Sequence, residues 1–88
     1  MERAEGLDTA KQYVTKDRAA THGRPENTFI AIAQLWEAYL GVNITGTDVA
    51  NLMMLLKIAR AQQNFMNMDN YIDIAGYAAC GAELAGEG

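Results

Sequence analysis

Three side chains spaced four apart, Asp69, Asp73 and Tyr77, run through the segment MDNYIDIAGY at residues 68–77. On a helix they stack along one face. Two carboxylates placed this way offer hard oxygen ligands to one side and could hold a Mg²⁺ ion. A second group is Lys57 and Arg60, i and i+3 on a helix and the only charges between Asp48 and Asp69. In such apolar company each must reach water, a carboxylate or a phosphate. Arg60 would grip a phosphate through paired hydrogen bonds, Lys57 as a point charge. A third group, Arg18, His22, Arg24 and Asn27, gathers around Pro25, where a helix is expected to open. Backbone N–H groups at a helix start attract anions, so these residues could form the other half of a phosphate or nucleotide pocket.

Each group also has a purely structural reading. Asp69 would serve as a helix N-cap, Asp73 would pair with a base on the preceding helix, and residues 17–27 would be a solvated turn. The two readings of the charges are compatible, because carboxylates that orient Lys57 and Arg60 are a normal support for an anion site. For a metal site the remaining acid is Glu37. The set Glu37, Asp69 and Asp73 is small for a cluster that must neutralise a triphosphate and activate water, unless several chains contribute. The G-x-x-x-x-G-K phosphate loop is absent. His22 lacks a second His or a nucleophile at a recognisable spacing. Cys80 is a lone cysteine, which leaves no internal disulfide and no Cys-based zinc site, and reads as a small buried hydrophobe. Among the aromatics, Trp36 and Tyr39 are expected in the core or a subunit interface. Tyr77 is the best placed to stack a base or bond a phosphate.

The elements that position these residues read as four helices and no strand. Residues 7–21 put Leu7, Ala10 and Val14 on one stripe, and Gly23 follows the end. Pro25 suits the first turn of a second helix over 25–40, with Phe29, Ile32 and Trp36 at helical spacing and Gly41 as the stop. Thr45 with Asp48 fits a capping box for a third helix over 46–63, Thr47 being the competing cap. That helix is apolar through LMMLLKIA, which implies burial on more than one side. The chain has too little other material to cover it, so it is expected to pack against a second copy. Residues 62–68 form a polar loop with Phe65 and Met66 as apolar anchors. Asn67 or Asp69 caps a fourth helix over 69–84, whose small residues permit close approach.

The chain of 88 residues is expected to be one domain, 1–88, with 1–6 and 85–88 disordered. Its size makes the core marginal alone. The formal net charge of −4 argues against nucleic acid as a partner. No signal peptide and no membrane span are read, so the expected location is the cytoplasm.

The stretches HGRPENTFIAIAQLWEAYLG, ITGTDVANLMMLLKIAR and DNYIDIAGYAA, in that order, resemble a family of small phage and prophage proteins carried as a domain of unknown function. The resemblance covers residues ~13–82. KIAR followed by DNYIDIAGYA is also similar to the last metal-binding helix of the MazG-like all-α nucleoside triphosphate pyrophosphatases. It implies a helical bundle that assembles as an oligomer and handles nucleotides, in the cytoplasm of an infected bacterium. That group uses two acidic pairs on two helices, E-x-x-E and E-x-x-D; here the first is reduced to Glu37 and the second is spaced D-x-x-x-D.

Together these readings give an all-α homo-oligomer that binds a nucleotide-type small molecule without catalysis and without a cofactor, with a possible use in sequestering a host defence messenger. The alternatives are a Mg²⁺-dependent pyrophosphatase using Glu37, Asp69 and Asp73, and a protein-interaction module built on the third helix.

Overall fold

Several helix ends in the middle of the chain are set by residues with a stereochemical reason to be there. The structure, a computed structural model, describes residues 1–17 and 25–86. Within them the chain forms α1 (Arg3–Gln12), a π-helical turn (Tyr13–Asp17), α2 (Pro25–Leu40), α3 (Gly46–Gln63) and α4 (Met68–Gly86). No strand occurs among the described residues. The all-α architecture expected from the periodicity is therefore the one observed.

Helix α2 starts at Pro25 and stops at Gly41, which adopts φ +73° and donates its N–H to the Glu37 carbonyl at 2.8 Å. Only glycine takes that left-handed geometry without strain. Helix α3 opens on a complete capping box: Thr45 Oγ1 accepts from the Asp48 N–H at 3.1 Å, and Asp48 Oδ2 accepts from the Thr45 N–H at 2.9 Å. At the start of α4, Asn67 is the capping side chain, its Oδ1 accepting from the Asp69 N–H at 3.1 Å. This settles the choice between Asn67 and Asp69. At the two ends of the described residues, α1 runs from Arg3 and α4 through Gly86.

Helices α3 and α4 pack along each other most extensively; α2 lies on α3, and α1 lies on α4. The core comprises Phe29 and Ala33 from α2, Val49 and Ala50 from α3, and Cys80 from α4, with Ile32, Trp36, Tyr77 and Leu84 packed around it. Cys80 is buried as expected. Small residues bring the backbones together: a Cβ on Gly81 would lie 3.3 Å from Ala50 Cβ, and one on Gly76 would lie 3.0 Å from Val14 Cγ1.

Two apolar expectations need correction. Ala10 is buried and Val14 partly so, yet Leu7 of the same stripe is 65% exposed. It lines a groove of about 440 Å³ between α1 and the start of α4, together with Met1, Met68, Tyr71, Ile72 and Ala75. Phe65 and Met66 do not anchor the α3–α4 turn, because its short reversal points them outward. Of the two aromatics expected in the core or a subunit interface, Trp36 packs against the core and Tyr39 is exposed.

Candidate functional site

The α3–α4 contact brings one pair of the anticipated charges together. Lys57 points inward from α3 toward α4, because it falls on the same side of the helix as the buried Ala50 and Ala61. Its Nζ lies 2.8 Å from Asp73 Oδ2, with the two side chains 16% and 30% exposed. The pair is neither fully solvated nor fully desolvated. Its worth lies between that of a screened surface pair and that of a buried one, whose desolvation offsets much of the Coulomb attraction.

Arg60 and Asp69 lie one turn along their respective helices and are both exposed. Asp69 sits in the first turn of α4, where a carboxylate complements the helix dipole. Lys57 is thus held by Asp73, while Arg60 is exposed at the surface of α3.

Tyr77 is not aligned with the two aspartates. It is half-buried and its ring packs on Phe29, with centroids 6.1 Å apart and planes tilted by 34°. Asn27 is exposed near the start of α2. Arg18, His22 and Arg24 lie outside the described residues.

Glu37, the third acid of the metal reading, has a structural task. Its Oε1 accepts from the Ile44 N–H at 2.8 Å and ties the last turn of α2 to the segment that enters α3. No group of three His, Cys, Asp or Glu side chains that could hold a metal ion forms among the described residues. The sequence held the signal for the role of Glu37: a glycine stop at Gly41 turns the chain back at once, which brings an amide a few residues on within reach of the last helical turn. The 440 Å³ groove had no comparable signal, since it depends on how two helices far apart in sequence come together.

The chain resembles known proteins as follows. A family model described as Domain of unknown function (DUF6378) matches residues 5–85. The Gene 55 protein of Mycobacterium phage D29 is 40% identical over 74 residues, covering 84% of this chain and 49% of that protein. The Gene 55 protein of Mycobacterium phage L5 is 45% identical over 73 residues, covering 82% and 47%. The chain therefore spans about half the length of the curated relatives it matches. No solved structure matches. No described helix is long and apolar enough to cross a membrane. The three stretches that carried the phage-type resemblance all fall within the matched span, and the chain belongs to this phage-protein family, the domain of unknown function DUF6378.

Proposed function

We propose that this domain is a non-catalytic, self-associating phage protein that binds a phosphate-bearing small molecule of the nucleotide type in the cytoplasm of the infected host. The observation that carries this reading is the asymmetry of the two cations on α3. Asp73 fixes Lys57 at 2.8 Å, and Arg60, one turn on, is exposed. A carboxylate-oriented lysine beside an exposed guanidinium is a suitable receptor for a phosphate, the arginine giving directional hydrogen bonds and the lysine a fixed positive charge. Arg18, His22, Arg24 and Asn27 would supply further contacts, Asp69 would keep the site selective for one orientation, and Tyr77, packed on Phe29, would support α4 from the core side. Sequestration of a nucleotide messenger of host defence is the biological use that fits such a binder.

Isothermal calorimetry against linear and cyclic nucleotides tests the proposal. Wild-type protein is expected to bind one class. Arg60→Ala is expected to weaken that binding about 10- to 100-fold, the range for losing a charged hydrogen bond, with an unchanged circular-dichroism spectrum. Absence of binding across the panel would sink the reading.

The Mg²⁺-dependent, MazG-like pyrophosphatase needs carboxylates that converge. With Glu37 engaged at Ile44 and Asp73 at Lys57, that convergence would have to come from several chains. Pyrophosphate release that disappears in Asp73→Asn would favour it over simple binding. A protein-interaction role is favoured by a different observation, the exposed apolar side chains of α2 and α3.

A further inference from the structure

Between Asn27 and Gln63 the chain carries only four charged residues, Glu37, Asp48, Lys57 and Arg60. Three of them are engaged within the fold. Glu37 accepts from the Ile44 N–H, Asp48 closes the capping box, and Lys57 pairs with Asp73. Apolar side chains point the other way. On α3, Leu52, Leu55, Leu56 and Ala59 stand at i, i+3, i+4 and i+7 and are all exposed, Leu55 by 59%. That spacing makes one continuous stripe. On α2, Leu35 and Tyr39 are 70% and 89% exposed. The hairpin of α2 and α3 thus engages three of its four charges within the fold and, besides the side chains it gives to the core, leaves an apolar stripe toward solvent.

The amount of surface left open is what a partner chain would cover. The isolated chain exposes 6153 Å². A folded monomer of 9.6 kDa is expected to expose about 5,100 Å². The excess of roughly 1,000 Å² belongs to the whole chain, of which the α2–α3 face is a part, and is large enough to supply the ~800 Å² that each partner contributes to a standard interface. A radius of gyration of 13.5 Å, against about 12 Å for a compact chain of this length, agrees with an unfilled side.

We infer that this face is closed by a second copy of the chain, the two α3 helices packing across a twofold axis with Leu55 near it. This rests on the self-association in the proposed function and assigns its surface. Charge selects the occupant. The chain carries a net charge of −4, so two copies repel wherever acids meet. The α3 stripe is the surface on which they can approach without like charges. Homodimer interfaces are the more apolar, charge-depleted class, and a stripe centred on its own midpoint is self-complementary under a twofold.

Sedimentation equilibrium on the whole chain tests the inference, comparing wild type, Leu55→Glu and Phe65→Ser, the last altering an exposed apolar residue outside the face. Wild type and Phe65→Ser should sediment as a dimer or larger. Leu55→Glu should be monomeric, with a dissociation constant raised at least about 100-fold by a charge forced into an apolar contact, and should keep its helical spectrum. A wild-type monomer at 100-fold dilution series from ~1 mM would overturn both the inference and the self-association it rests on. A Leu55→Glu variant that keeps the wild-type mass would overturn the assignment of the face and leave self-association standing. Should Leu55→Glu unfold, Leu55→Cys in a Cys80→Ala background decides: a short bismaleimide should join two chains, and failure to join them overturns the assignment.

Discussion

Gly76 sits where α4 meets the π-helical turn, and Gly76→Ala sets two effects of similar size against each other. Alanine in place of glycine inside a helix stabilises by about 0.8–1.0 kcal/mol, largely by restricting the unfolded chain. The added methyl, however, would lie 3.0 Å from Val14 Cγ1, and Gly76 is buried. Carbon atoms pack at about 3.5–4.0 Å, so either Val14 or the helix must give by a few tenths of an ångström. Valine is stiff at χ1 and cannot swing aside freely. Overpacking of this kind costs about 1–3 kcal/mol. The clash wins, with a net destabilisation of about 1 kcal/mol and a fall in Tm of about 4–8 °C for a domain of this size. Thermal melts followed by circular dichroism, at one fixed protein concentration, measure it. The control is Val14→Ala in the same background: removing Cγ1 should recover most of the loss, giving a coupling energy of about 1 kcal/mol in the double-mutant cycle. A Gly76→Ala protein that melts higher than wild type would refute the argument, since it would show that α1 yields to α4 at no cost.

The other expectations follow from the same geometry. Gly41→Ala should destabilise by about 1–2 kcal/mol through backbone strain alone, because φ is +73° and nothing lies within 4 Å of the new methyl; Gly41→Asn should lose less in the same urea titration. Thr45→Ala, which opens the capping box, should cost about 1 kcal/mol, and Thr45→Ser should restore most of it. Glu37→Ala should cost about 1–3 kcal/mol by leaving the Ile44 N–H unpaired, while Glu37→Gln, which keeps a carbonyl acceptor, should stay near wild type. Lys57→Met should change stability by less than about 1 kcal/mol, because Asp73 is 30% exposed and can return to water, yet it should weaken nucleotide binding in calorimetry.

The boundaries of α2 and α3 were legible because dedicated residues set them: Pro25 and Gly41 for one, Thr45 with Asp48 for the other. The first helix was less legible. It was expected over 7–21, yet it begins at Arg3 and widens into a π-helical turn at Tyr13, a change for which propensity offers no signal. The charged site was half legible. That a cation on α3 meets a carboxylate on α4 follows from how few charges α3 has. Which of the two pairs forms depends on the register between two helices, which is fixed by Gly81 against Ala50 and is not a local property. Tyr77 shows how helical spacing misleads over two turns. Eight residues at 100° each leave it about 80° around the axis from Asp69, enough to take it into the core beside Phe29 while Asp69 faces water. The exposure of Leu55 and its neighbours agrees with the expectation that the chain cannot cover its third helix.

The hold of Glu37 on the Ile44 amide has a consequence for the order in which the chain organises. The contact spans seven residues, so the loop it closes is short and its entropic cost is low. Together with the Gly41 turn and the capping box it joins α2 to α3 through interactions that are all close in sequence. The packing of α1 on α4, by contrast, requires segments some sixty residues apart to meet. Low contact order favours early formation, so the α2–α3 hairpin, like the equally local α3–α4 pair, is expected to form before α1 docks on α4. Substitutions at Glu37 and Thr45 should then slow refolding, with φ-values near 1, while Gly76→Ala should act almost wholly on the rate of unfolding.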